Sequence, residues 1–411
     1  MRRVDALVIG GGPSGLAAAI AMRRNGISNV VVIEREHEAG GVPRHCHHTG
    51  FGIRDLRRVM RGPGYAKRYV ELAEKAGVQI VTDTMVTGWS GADSVQTTSP
   101  TGLETYAADA IVLATGCRER PRSARLVAGS RPAGVFTTGA LQQWVYLHSH
   151  PIGTRAVVVG AEHVSFSAVM TLKHAGVDVA AVITEHPFHQ SIWPYTLITT
   201  TRWRVPVLTN TALQAIHGRH RVESVEVIDA AGASRSIPCD TVVFTGDWVP
   251  DYELAASGNV RLEGANRAPE VDTSLRTSTQ GVFAIGNLVH PAETADLAAL
   301  TGRFVAQHVR KYLEAGHWRG QEEVRIETSD AIQWVSPQVI DTTSPSAPNR
   351  MLSLRVNRVL EGATISIIHD GRSLWRRRYR RLVPNLPIHV PGSFLSAVRS
   401  GDTIRLEVGI R

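Results

Sequence analysis

Gly10, Gly12 and Gly15 are spaced as a diphosphate needs them. Gly10 permits a tight turn, Gly12 lets a pyrophosphate reach the backbone, and Gly15 lets the next helix pack on the preceding strand. Pro13 and Ser14 open that helix, whose N-terminus offers unbonded N–H groups and the positive end of a dipole to phosphate. Glu34, about 20 residues on, stands where a carboxylate binds a ribose hydroxyl, with Arg35 beside it. A second group is His45-Cys46-His47-His48. Imidazole titrates near neutral pH and can take a proton from an amine or hydroxyl. The same loop could equally serve phosphates or backbone by hydrogen bonding, and the residues leave both readings open. Cys46 has no neighbouring sulfur, so dithiol exchange is excluded locally.

Elements fit for positioning these groups surround them. An apolar strand from Val4 feeds the glycine turn, an Ala-rich helix follows, and VVVI leads to Glu34. Tyr69, Leu72 and Ala76 mark an amphipathic helix. IVLATG is a buried strand ending on Ala114-Thr115-Gly116. At Pro151 the strand–turn–helix–strand pattern restarts and ends on Glu185, an echo of the opening unit. In this second turn, Gly160-Ala161-Glu162-His163-Val164-Ser165, Glu162 stands where a glycine would admit a pyrophosphate. Its bulk and charge count against a dinucleotide there. GVFAIGN carries Gly286 and Asn287 on a further strand end, and a long helix is expected to begin near Glu293. Residues 321–411 alternate without helical periodicity, and Asp370-Gly371 is a hairpin signal.

The chain has 411 residues, 43% hydrophobic and 20% charged, which suits two or three soluble domains. No run of about 18 apolar residues is present, so no membrane span is expected. A strand starting by Val4 leaves no room for a signal peptide, and the expected compartment is the cytoplasm. The three cysteines are far apart and show no zinc or iron–sulfur spacing, so no metal is expected. The net charge of +8 is spread over scattered arginines without a nucleic-acid motif, so no nucleic-acid partner is expected. The Arg372–Arg381 run reads as a solvated edge strand, and Arg118-Glu119-Arg120 as an ion-pair cluster. His186, His189, Trp193 and Pro194 read as a structural loop.

The order GGGPSG…Glu34, IVLATGCRERP, FTGDWVPDYEL and GVFAIGN resembles the pyridine nucleotide–disulfide oxidoreductase superfamily of two-dinucleotide-domain flavoproteins. That resemblance implies an α/β fold: a discontinuous FAD-binding Rossmann-like domain (1–150 and 240–318), an inserted NAD(P)-binding-like domain (151–239), and here a small C-terminal all-β domain (321–411). It implies FAD on Gly10–Gly15 and Glu34, with adenine near Val86 and flavin toward Gly41, Ala114–Gly116 and Asn287. The run from Cys46 to Gly52, GPGYA and GCRERPR resemble flavoprotein subunits of dye-linked amino-acid dehydrogenases, opine oxidases and hydrogen cyanide synthase. This closer likeness implies Cys46, His48 or His45 near the flavin and an amine or amino-acid substrate. It also implies electrons leaving to oxygen, to a quinone or to another protein of a hetero-oligomer. Two other readings stand: an NAD(P)H-dependent flavin reductase, and a non-catalytic FAD-carrying subunit.

Overall fold

The computed structural model describes residues 1–191, 197–318, 322–344, 346–401 and 403–410. Trp193 and Pro194 lie outside the described residues. The helices that matter here are α1 (Pro13–Arg24), α2 (Gly62–Lys75), α3 (Thr138–Tyr146), α4 (His163–His174) and α5 (Ala295–Ala315). The chain divides into two compact units. One holds Met1–Arg44, Thr49–Cys117 and Val249–Arg411, the other His45–His48 and Arg118–Trp248.

The first unit is built on a seven-stranded sheet. Gln79–Val81, Val30–Ile33, Arg2–Ile9 and Gly102–Leu113 lie side by side in parallel, and Val282–Ala284 adds to the last of them. Val8 stands opposite both Val32 and Val112. These strands are covered on both faces, which is why they read as unbroken apolar runs. The small residues Ala17, Ala18 and Ala19 bring α1 close to the sheet. Alpha-helix α5 crosses α1 more closely still: a Cβ on Gly302 would lie 2.1 Å from the Ser14 carbonyl oxygen. The loop before α2 is anchored twice. Asp55 accepts from the Tyr65 and Tyr69 hydroxyls at 2.7 and 2.6 Å, and Asp296 accepts from Gly52 and Arg54 N–H, each at 2.8 Å.

The C-terminal residues of this unit are all strand and short turn. A five-stranded sheet ends on the edge strand Arg372–Arg378, and Ile332–Ser336, Met351–Val356 and Ile388–Pro391 form a three-stranded one. Leu352, Leu354, Ile365, Ile367 and Leu406 belong to a separate core. Asp370 and Gly371 have φ of 45° and 78°, as a tight hairpin turn requires. Trp375 and Tyr379 pack on the core and Arg376 and Arg378 stay exposed, so the arginine run is a charged edge. A buried ion pair ties this region to the flavin-type sheet: Arg276 donates to Asp272 at 2.5 Å and to Asp341 at 2.6 Å.

The second unit carries a parallel five-stranded sheet, in the order Val135–Thr137, Thr241–Phe244, Arg155–Val159, Asp178–Ile183, Val207–Leu208. A four-stranded sheet of Ala128–Gly129, Thr211–His217, Ser224–Asp229 and Ser234–Pro238 accompanies it. This unit is wider than the expected 151–239. Val135–Thr137 pairs with Thr241–Phe244, and α3 packs on α4, so the stretch from Arg118 belongs here. The expected α/β class holds: two Rossmann-like sheets, the first extended by the antiparallel strands Ser94–Ser99 and Met85–Gly91, and a strand-rich C-terminal region. No described helix is long and apolar enough to cross a membrane.

Candidate functional site

The glycine turn is shaped by its neighbours. Gly10 has φ of 110°, and a Cβ there would lie 2.4 Å from the Ala114 carbonyl oxygen. A Cβ on Gly15 would lie 2.0 Å from the Gly10 carbonyl oxygen, so only glycine fits. Gly12 differs: a Cβ there would meet nothing within 4 Å. Gly12 is also the N-cap of α1, which has no side-chain cap and no acidic residue in its first turn. An open cradle at an uncapped helix N-terminus suits a diphosphate. Gly41 packs against it, its own Cβ position 2.9 Å from the Gly12 Cα.

Glu34 is buried and accepts from Gly11 N–H at 2.8 Å and Glu36 N–H at 2.9 Å, which fixes the carboxylate beside the turn. Arg35 is exposed. Asp83 and Thr84 donate their amides to the carbonyls of Glu36 and Glu34, each at 3.0 Å, so the strand carrying Val86 starts alongside the acid. Thr115 donates its hydroxyl to the Asp251 carbonyl at 2.8 Å, and Gly116 accepts from Asp251 N–H at 2.9 Å. Gly286 has φ of 67°, with Ser14 Oγ 2.4 Å from where a Cβ would stand. Asn287 donates to the Glu293 carbonyl at 3.1 Å, and its buried Oδ1 has no partner. Residues Gly10 to Gly15, Glu34, Gly41, Ala114 to Gly116, Gly286 and Asn287 thus all belong to the first unit.

Alpha-helix α5 begins at Ala295, near Glu293 as expected, with Thr294 as its N-cap accepting from Leu297 N–H at 3.4 Å. Glu293 stays outside the helix and is buried. It accepts from His389, on Ile388–Pro391, at 2.8 Å, and its Oε2 has no partner. Burial would raise the Glu293 carboxyl, but the His389 hydrogen bond and the neighbouring His290 and Arg355 outweigh it and hold it below the usual range. His290 is buried, neither ring nitrogen has a partner, and burial pulls its pKa down. Nothing in the spacing of His290-Pro291-Ala292-Glu293 signalled this cluster, because His389 and Arg355 reach it from the C-terminal strands.

The His45–His48 segment falls in the second unit. Cys46 is buried and donates its thiol to Gln142 Oε1 at 3.4 Å. Burial, then the nearby Glu119, push the Cys46 thiol up to about 12, which keeps it protonated at neutral pH. His45 is buried and His47 stacks on Tyr146, ring centroids 3.9 Å apart. His48 is half-buried. Cys239 is buried, as expected.

Glu119 is also a correction. It is buried and accepts from Gly139 N–H at 2.8 Å in the first turn of α3, and Arg120 pairs with Asp247 at 3.4 Å instead. Burial raises the Glu119 carboxyl from 4.5 to about 7. The folded chain therefore favours the protonated acid. Its stabilising contribution is complete below pH 4.5 and is lost as pH rises through about 7, a span of about 3 kcal/mol. Glu119→Gln keeps an acceptor for Gly139. Its Tm relative to wild type should rise across pH 4.5–7 by thermal denaturation, whereas a constant difference would contradict the assignment.

The second glycine turn is closed by its own side chain. Glu162 is the N-cap of α4 and forms a capping box with Ser165, whose hydroxyl accepts from Glu162 N–H at 3.0 Å and bonds Thr245 Oγ1 at 2.8 Å. The Glu162 carboxyl is buried and lies over Gly160 and Gly246: Cβ atoms on these glycines would fall 2.8 and 3.0 Å from its oxygens. One turn is open and uncapped, and its echo is filled by a carboxyl.

An open glycine cradle, an acid on the second strand and a second Rossmann-like sheet define a two-dinucleotide-fold flavoprotein. The family model for pyridine nucleotide-disulphide oxidoreductases matches residues 4–302, and the chain belongs to that family. It is similar to a ferredoxin–NADP reductase of Ignicoccus hospitalis, 25% identical over 325 residues, covering 76% of this chain and 99% of the relative. It is also similar to an opine oxidase subunit of Agrobacterium tumefaciens, 27% identical over 332 residues, covering 74% of this chain and 64% of the relative. Thioredoxin reductase of T. acidophilum shares the fold, with TM-score 0.63 and 20% identity over 76% of this chain and 99% of its own. The protein is an FAD-dependent oxidoreductase, and the cradle at Gly12 fits that cofactor.

Proposed function

We propose that the protein dehydrogenates an amine of the amino-acid class, such as an opine, and passes the electrons to an acceptor other than NAD(P)⁺. FAD, when bound, supplies a two-electron acceptor for oxidation of a C–H bond next to nitrogen. Gly10 to Gly15 and Glu34 hold its diphosphate and ribose, and Asn287 Oδ1 offers a further acceptor. Glu293 Oε2, a buried acceptor without partner, would face the substrate amine.

The observation that carries this reading is the Glu162 carboxyl seated in the second turn. A dinucleotide binding there would have to displace a buried acid from a helix N-terminus. The likeness to the opine oxidase supports the substrate class and onward transfer to a partner protein. The rival reading, an NAD(P)H-driven reductase, draws support from the ferredoxin–NADP reductase, which matches over 99% of its length.

Anaerobic flavin absorbance separates the two. Proline, sarcosine or an opine should bleach the flavin band, whereas NADH and NADPH should not. Glu162→Gly should raise NAD(P)H-driven bleaching by at least about tenfold, roughly 1.4 kcal/mol of recovered binding. Rapid bleaching of the wild-type protein by NADH or NADPH would refute the proposal.

A further inference from the structure

Strand Met351–Val356 alternates strictly. Leu352, Leu354 and Val356 belong to the core of the C-terminal region. Met351, Ser353 and Arg355 point the other way. Met351 and Ser353 line a cavity of about 10 Å³ with His290 and Glu293. Arg355 is 4% exposed. Its Nη2 donates to the Ala292 carbonyl at 3.0 Å, and its guanidinium lies over the Trp334 ring at 6.0 Å. No carboxylate among the described residues forms a salt bridge with it. Glu293 lies near but gives Oε1 to His389. A guanidinium carries five N–H donors. A buried one that makes a single hydrogen bond keeps N–H donors for a further acceptor.

Its position says which anion. Ala292, whose carbonyl Arg355 holds, is followed by Glu293, whose own carbonyl accepts from Asn287 Nδ2 at 3.1 Å. Arg355 therefore stands beside the segment tied to Asn287, which is expected at the flavin. Next to it, Glu293 Oε2 is a buried acceptor without partner. A fixed cation and a fixed carboxylate side by side match the two ends of an amino-acid zwitterion, and a planar guanidinium pairs with a carboxylate in a bidentate fork. We propose that Arg355, contributed by the C-terminal strands, anchors the substrate carboxylate, with Glu293 facing the amine. This rests on the amine-dehydrogenase reading.

The test uses the FAD-loaded protein and pyrrole-2-carboxylate, a planar acid that cannot be oxidised as an amine. Its binding is read from the perturbed flavin spectrum. Wild type should bind it, Arg355→Lys should weaken binding about tenfold and Arg355→Met by fiftyfold or more, while bound FAD stays at the wild-type level in Arg355→Lys. Equal affinity in wild type and Arg355→Lys, or no binding to wild type, overturns the anchor. So does a shifted flavin potential in Arg355→Lys with carboxylate affinity unchanged, which would assign the cation to the flavin. If wild type binds the acid through Arg355 yet no amino acid bleaches the flavin, the anchor stands and the amine reading fails.

Discussion

Gly12→Asp should release FAD from the protein without unfolding it. A Cβ at this position meets nothing within 4 Å beyond its chain neighbours, and the backbone there has φ of −77°, which any residue adopts. The folded chain accommodates aspartate, but the carboxylate occupies the phosphate cradle and caps α1 in place of the cofactor. FAD affinity should fall at least about 100-fold, or about 2.7 kcal/mol, with an unchanged circular dichroism spectrum. Gly15→Val is the contrasting case. Its Cβ would strike the Gly10 carbonyl oxygen at 2.0 Å, so folding itself should suffer. Retained FAD in Gly12→Asp would show that the diphosphate lies elsewhere.

Arg276→Met should cost much stability while leaving the chain able to fold. Asp272 and Asp341 are both buried, and Arg276 is the cation between them. Its removal leaves two buried carboxyls facing each other, a loss of about 3–5 kcal/mol. Thermal denaturation should show Tm lower by on the order of 5–10 °C. Asp341 sits on a C-terminal strand and Asp272 on the segment before Val282–Ala284, so protease sensitivity of residues 322–410 should rise in step. A variant as stable as wild type would mean that the ion triad does not hold these parts together.

The fold was legible because each glycine has a task no other residue performs. Gly10 and Gly15 are fixed by backbone contact, and the strand, helix and acid around them announce the cradle. The second turn differs by one letter: Glu162 stands where a glycine would, and in the structure its carboxyl lies over Gly160 and Gly246. Boundaries were less legible. Val135–Thr137 reads as the tail of the first domain, yet it pairs beside Thr241–Phe244, more than a hundred residues later. The surroundings of Cys46 were not legible, because spacing conveys motif but not burial, and Gln142 lies 96 residues away. The cluster of His290, Glu293, Arg355 and His389 was invisible for the same reason. Its members are ordinary residues until the C-terminal strands bring two of them to the start of α5.

The account stands on a single bound dinucleotide. The chain, purified and denatured, should release FAD in a 1:1 ratio, measured by chromatography and mass of the liberated flavin, either as isolated or after incubation with excess cofactor. A protein that stays colourless and yields no flavin after such incubation would contradict it.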